Sequence, residues 1–195
     1  MINRPGLMDI HMFIVRVSFY PFCFLLHPKG GVSINKTLWL IPLLFLLHNS
    51  EESLSITEYL KNHFHIPFIS QSQFILAASI LTVLVFIIIC LYQIQVLSSI
   101  HWVIFTQGAI FFNAVQHLAL FFYFGSYNPG AITAFFICLF SMILLAHVLK
   151  NKVVRVWSLC ITLTGSLLSY PLIIWLMLRL AGFFTWKIRG PHQEG

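Results

Sequence analysis

The chain has 195 residues, of which 59% are hydrophobic and only 8% are charged. A soluble domain carries about 25% charged residues, so the composition excludes a water-soluble globular domain and predicts an integral membrane protein. The net charge of +6 does not indicate a nucleic-acid partner, because Lys and Arg mark the cytoplasmic ends of membrane spans and no basic patch is interleaved with aromatic residues.

Residues 1–35 are predicted to form an N-terminal extension or an interfacial segment. The apolar stretch 13–26 is interrupted by Arg16 and Pro21 and is short for a full span. It is interpreted as an interfacial segment, an incomplete sixth span, or an extension upstream of the true start, and these alternatives stay open.

Residues 36–182 are predicted to form an all-α, multi-pass transmembrane helical bundle of about five spans, each near the ~20 residues that a bilayer requires. The first expected span is somewhat short. Residues 183–195 are expected to be a basic polar tail. The expected spans are 36–52, 74–97, 100–124, 129–149 and 156–180.

The distribution of Lys and Arg predicts the orientation in the membrane. With five spans, seven basic residues fall on the side of the N-terminus and four on the opposite side. The excess predicts that the N-terminus lies in the cytoplasm and that the protein lies in the cell membrane. The lipid bilayer is therefore a predicted partner, and no nucleic-acid partner is expected. The seven are Arg4, Arg16, Lys29, Lys36, Lys150, Lys152 and Arg155.

The first expected span ends in His48, Glu51 and Glu52, although the whole chain has only five acidic residues. The spacing i, i+3, i+4 places one imidazole and two carboxylates on one helix face. Asn113 and His117, four residues apart, share one face of the third span. The alternative without a functional role for His48 to Glu52 is a helix boundary capped by Asn49 or Ser50. The corresponding alternative for Asn113 and His117 is a set of hydrogen bonds that only fix helix packing.

Tyr127-Asn128-Pro129-Gly130 precedes the fourth span. Asn128 is expected to be the N-cap and Pro129 the first helical residue, with Thr133 one turn later. A plain turn is the alternative. Because spans one and three run in the same direction, all three polar patches lie toward one side of the membrane. They meet if spans one, three and four are neighbours.

Two adjacent carboxylates in a site of low dielectric cannot both stay ionised without a cation. No Lys or Arg lies in the apolar interior of the first four spans, so protons or a metal ion must supply the positive charge. Two His and two Glu form a plausible ligand set for a divalent ion, namely zinc, iron or manganese. The predicted ligands are His48, Glu51, Glu52 and His117.

Three motifs in this order, His48-Asn49-Ser50-Glu51-Glu52, Asn113-Ala114-Val115-Gln116-His117 and Tyr127-Asn128-Pro129-Gly130, resemble those of the HxxEE family of integral membrane proteins. The resemblance spans roughly residues 37–180 and implies a small helical membrane protein of uncharacterised function, without an established reaction. It marks as motif positions His48, Glu51, Glu52, Asn113, His117, Tyr127, Pro129 and Gly130.

Two classes of function follow from these residues. The first is a metal-dependent intramembrane enzyme that acts on a lipid or another apolar substrate, with a hydrolase preferred over an oxidase or an isomerase. Glu51 or Glu52 would be a ligand and the other glutamate a general base, while Asn113 would orient a ligand or stabilise an oxyanion and Tyr127 would position a head group. The second class is a cation or proton carrier that uses the same site, and a purely structural membrane protein is a third possibility.

Overall fold

The computed structural model describes residues 34–66 and 68–189, and every regular element in this part of the chain is helical. A single helical turn, Ile34–Thr37, precedes six helices. These are α1 (Leu40–Glu52), α2 (Ile56–Phe64), α3 (Gln71–Gln93), α4 (Ile100–Phe124), α5 (Ala131–Lys150) and α6 (Val156–Arg189).

Four helices, α3 to α6, are long and apolar enough to cross a membrane. The predicted all-α membrane bundle and the integral membrane location are confirmed. The first expected span differs from its prediction, because α1 has 13 residues and therefore extends only ~20 Å at 1.5 Å per residue, less than the ~30 Å of a hydrocarbon core. The last helix continues beyond residue 182 to Arg189. The expectations for residues 1–33 and 190–195 lie outside the described residues.

The centre of the bundle is an apolar core shared by α1, α3, α4 and α5, with Ile41, Ile89, Ala114, Ile137 and Phe140 at most 1% exposed. Burying such side chains stabilises the packing of these helices against one another. In contrast, most of the apolar surface of α6 faces outward, as expected for a helix in contact with lipid. The core thus fixes the mutual positions of α1, α4 and α5.

Close approach and polar contacts join the helices. Gly108 of α4 lies against α6, where a Cβ atom would come within 2.7 Å of Ser166 Oγ. Asn49 of α1 donates a 2.8 Å hydrogen bond to Thr82 of α3. Gln107 of α4 donates a 2.6 Å bond to Ser141 of α5. Small residues and hydrogen bonds of this kind are typical of helix contacts in membranes.

Candidate metal centre

His48, Glu52 and His117 form a buried cluster in which the potential ligand atoms all lie within 4.8 Å of one another. His48 and Glu52 are four residues apart at the end of α1 and so project from the same face. His117 comes from the second half of α4. Glu52 Oε1 lies 2.6 Å from His117 Nε2 and 3.9 Å from His48 Nε2, and the two imidazole rings meet edge to face at 4.9 Å.

Thr133, in the first turn of α5, determines which nitrogen of His48 faces the cluster. Its hydroxyl donates a 2.6 Å hydrogen bond to Glu51 Oε2 and lies 2.9 Å from His48 Nδ1. A hydroxyl has one hydrogen, so His48 Nδ1 must be the donor to Thr133. The Asn113 amide nitrogen, which can only donate, lies 3.0 Å from His48 Nε2. This contact assigns the lone pair to Nε2, which is the tautomer required of a metal-binding histidine.

Glu51 points away from this cluster and is held by four donors. Its Oε1 accepts from the Tyr127 hydroxyl at 2.6 Å and the Ile132 amide at 3.1 Å. Its Oε2 accepts from the Thr133 amide at 2.8 Å and from the Thr133 hydroxyl. A carboxylate at the positive end of a helix is stabilised by these amides and by the helix dipole. Glu51 therefore anchors α5 to α1, and its predicted role as ligand or base stays a prediction that these contacts do not favour.

The Tyr127 hydroxyl is one of the donors that hold Glu51. Burial, followed by the hydrogen bond to Glu51 and its negative charge, raises the pKa of the Tyr127 phenol above its ordinary value. The phenol therefore remains protonated and continues to donate to Glu51 throughout the physiological pH range. This contact positions the carboxylate of Glu51, whereas the prediction placed Tyr127 on a substrate head group.

Asn128 supports His117, which corrects the expectation that Asn128 caps α5. The helix begins at Ala131 with Gly130 as its N-cap residue, so Pro129 also precedes it. The fully buried Asn128 side chain donates to the His117 carbonyl at 3.0 Å and lies 3.2 Å from His117 Nδ1. In the sequence, Asn128 stood out only as the residue before Pro129 in the Tyr-x-Pro-Gly motif, and nothing there indicated a contact with His117.

Gly130 fits where a larger residue would not. Its φ is +90°, and a Cβ atom would lie 2.9 Å from both Glu52 Cγ and His48 Cε1 and 3.3 Å from His117 Nδ1. The backbone therefore lies directly against the cluster, and positive φ strains any residue with a side chain. This explains the glycine of the Tyr-x-Pro-Gly motif in physical terms.

Asn113 also lies beside the cluster. Its amide nitrogen lies 3.0 Å from His48 Nε2. The structure thus brings together His48, Glu52, His117 and Asn113, and it places Glu51 and Tyr127 in an adjoining layer of hydrogen bonds. Thr133 links the two layers, a role that the sequence did not assign to it.

The three central residues suit a divalent metal ion. Two imidazoles and one carboxylate are a common catalytic ligand set for zinc, and they also occur around non-haem iron. Ligands bound at ~2.0–2.1 Å in a tetrahedron lie about 3.3 Å apart, between the 2.6 and 3.9 Å separations observed here. Small side-chain shifts would therefore create the site, and the Asn113 amide would turn away from His48.

A cavity of about 740 Å³ extends from this cluster between α1, α2, α3, α4 and α6. Glu52, Asn113, His117 and Asn128 contribute to its wall, while most of the remaining lining is aliphatic or aromatic. Pockets that bind organic ligands have about this volume and combine apolar walls with a few polar groups. The cluster is thus buried from water but borders a space of ligand size.

Together the fold and the site define a multi-pass helical membrane protein with a buried His/Glu cluster beside an apolar cavity. The model of the family described as "protein of unknown function with HXXEE motif" matches residues 39–145. The chain belongs to this family, as the three motifs predicted. No curated protein and no solved structure matches the chain.

Proposed function

We propose that this protein is a metal-dependent intramembrane hydrolase that acts on a lipid or another apolar ester. The observation that carries the proposal is the buried set of His48, Glu52 and His117, of which Glu52 and His117 line the cavity. Three protein ligands beside an open space are characteristic of catalytic rather than structural metal sites. When bound, a divalent ion would supply a Lewis acid that polarises a carbonyl oxygen.

The chain's own residues would provide the remaining functions. Thr133 keeps the lone pair of His48 directed at the cluster. Glu52 is the carboxylate at the cavity wall. It would bind the ion through one oxygen and leave the other to accept a proton from water, whereas the four donors on Glu51 occupy that carboxylate. Asn113, at the same wall, would donate a hydrogen bond to the developing negative charge of the ester oxygen. Hydrolysis adds water across the acyl C–O bond, and the proton ends on the alcohol.

Metal analysis of the protein purified in detergent tests the proposal directly. We expect about one divalent ion per chain in the wild type and its loss in Glu52→Gln and His117→Ala. His101→Ala is a matched control, because His101 lies in the same helix but contacts Ser158 and Thr162 of α6. Hydrolysis of a long-chain acyl ester by the wild type should stop on chelation and return with added metal.

Two results would overturn the proposal. Wild-type protein without bound metal would leave a buried hydrogen-bonded network as the role of the cluster. Bound cation without hydrolysis, together with cation- or proton-driven flux in sealed vesicles, would favour the carrier. Lys150, Lys152 and Arg155 would place the connection from α5 to α6 in the cytoplasm and the site, at the other end of α5, toward the outer side. Cysteine labelling of Asn151→Cys from each side tests this orientation.

A further inference from the structure

The cavity also restricts the chemistry of its ligand. We infer that it takes a single-chain lipid with an uncharged, hydrogen-bonding head group, such as a long-chain ester or alcohol, in preference to an anionic lipid. This assignment rests on the proposed function, because the ligand would be the substrate of the hydrolase. Binding of the ligand can nevertheless be measured without hydrolysis. Three features of the described residues support it.

First, among the described residues the wall offers no Lys or Arg that would neutralise an anion. Among the described residues that line the cavity, the carboxylate of Glu52 and the imidazole of His117 already pair with each other at 2.6 Å. In the metal-free protein, an anionic head group buried there would face this carboxylate and would lose its hydration without gaining a cationic partner. Burial of such an unpaired charge is strongly unfavourable.

Second, the nearby helix terminus is already occupied. The N-terminus of α5 would otherwise be a suitable anion site, because the first amides of a helix are free to bind an anion. The Ile132 and Thr133 amides donate to Glu51 instead. A phosphate would therefore have to displace a carboxylate held by four donors.

Third, an unused donor lies at the cavity wall. Tyr59, in α2, lines the cavity, and its buried hydroxyl has no hydrogen-bond partner among the described residues. An unsatisfied buried hydroxyl is costly, and an entering ester or alcohol group would supply the missing partner. Tyr59 stacks on His63 at 4.2 Å and meets Phe124 edge to face, so these rings support its position.

The volume of about 740 Å³ and the apolar lining of the cavity suit one long apolar chain. Beyond the cluster, α3 and α6 contribute residues such as Leu81, Val85, Ile174 and Leu178. Burial of a hydrocarbon chain against these residues would supply most of the binding free energy. The polar groups would then select the head group and orient it toward Glu52 and His117.

Native mass spectrometry with two matched probes tests the inference. 1-Oleoylglycerol and 1-oleoyl lysophosphatidate have the same acyl chain and differ by a phosphate. We expect the wild-type protein, freed of metal with a chelator so that no probe is hydrolysed, to bind the neutral probe about tenfold or more tightly than the anionic one. Equal or tighter binding of the lysophosphatidate would overturn the inference.

Two alanines in α4 provide a matched pair for locating the bound probe. Ala109 lines the cavity, whereas Ala119 is exposed and is not part of the lining. Ala109→Phe should fill the space and abolish binding of 1-oleoylglycerol, while Ala119→Phe should bind it like the wild type. Undiminished binding in Ala109→Phe would show that the probe binds elsewhere and would overturn the assignment.

Tyr59→Phe tests the head-group contact. Loss of one hydrogen bond should weaken 1-oleoylglycerol binding about threefold to tenfold. Thermal stability without the probe should stay unchanged or rise, because the removed hydroxyl has no partner among the described residues. Unchanged affinity would refute the role of Tyr59. If the wild type selects the neutral probe but contains no metal, only the proposed hydrolase fails.

Discussion

Glu51 and Glu52 are adjacent in the sequence but belong to two different regions of the molecule. Glu52 faces His117 across 2.6 Å and lines the cavity. Glu51 faces the N-terminus of α5 and accepts from Tyr127, Ile132 and Thr133. The first region is suited to hold a cation, because two imidazoles and a carboxylate converge there; without an ion, His117 donates to Glu52. The second is arranged to hold two helices together, because both oxygens of the carboxylate accept from two donors each.

Gly130 lies directly against the first of these regions, and its substitution should have the largest effect. Gly130→Ala places a Cβ atom against His48 and Glu52 at a φ of +90°. We expect a loss of about 3 kcal/mol or more in unfolding free energy, from overpacking together with backbone strain, and loss of any bound metal. Chemical denaturation in detergent measures the first quantity and elemental analysis the second.

Gly125→Ala is the control for that substitution. Gly125 also has positive φ, +58°, but a Cβ atom added there would meet nothing within 4 Å. It should cost only about 1 kcal/mol, the strain of the backbone alone. Equal losses in both variants would show that contact with the cluster is not what restricts residue 130.

The two glutamates can be separated by the same change at each position. Glu51→Gln places an amide NH₂ group among four donors, so we expect a loss of about 2–3 kcal/mol in unfolding free energy. Glu52→Gln should abolish metal binding while costing the metal-free protein much less. Denaturation should thus show a large loss of stability only for Glu51→Gln, and metal analysis should show a loss of metal chiefly for Glu52→Gln. If Glu51→Gln lost the metal without loss of stability, our separation of the two regions would be wrong.

Thr133→Val sharpens the comparison, because it removes the hydroxyl that joins Glu51 to His48 with little change in shape. We expect metal affinity to fall about 10- to 100-fold, as for other residues that orient a metal ligand, and stability to fall about 1–2 kcal/mol. Competition with a metal-sensitive dye measures the affinity.

Thr106→Val serves as the comparison for Thr133→Val. The Thr106 hydroxyl is also buried but bonds to the Trp102 carbonyl of its own helix. Metal affinity should therefore be unchanged. The same reduction in both variants would mean that loss of a buried hydroxyl, rather than loss of the His48 contact, lowers the affinity.

Tyr127 should give the smallest effect, and one that depends on pH. The pKa of the folded-state phenol is raised, so its contribution to stability is complete below the unfolded pKa of ~10 and is lost as pH rises above it. Tyr127→Phe should cost about 1 kcal/mol at neutral pH and should show a weaker decline in stability above pH ~10. Thermal unfolding at pH 7 to 11 tests this, and parallel declines in both proteins would contradict it.

The family model matches the residues of the His/Glu cluster but only part of the residues that line the cavity. The family match ends at residue 145, so it includes the cluster and the start of α5 but not α6. Yet α6 provides part of the cavity wall, including Tyr170, Pro171 and Trp175. The His/Glu cluster and Tyr59 thus lie within the family match, whereas the part of the cavity wall that α6 supplies lies outside it.

The sequence by itself determined the class of protein and the candidate residues. A chain with 8% charge and several long apolar runs has few ways to satisfy its backbone in a bilayer other than by helices. The spacings of His48 to Glu52 and of Asn113 to His117 fixed shared helix faces, because side-chain direction follows from 3.6 residues per turn.

Only the tertiary structure decided which residues meet. Glu51 and Glu52 are equivalent by sequence, and their different neighbours depend on where α5 begins and how it packs on α1. The use of Gly130 as the N-cap residue frees Asn128 to contact His117. The assignments of Thr133 to His48 and of Tyr127 to Glu51 join residues more than 70 positions apart. Local propensity carries no information about such pairs, because they form only when the apolar core brings three helices together.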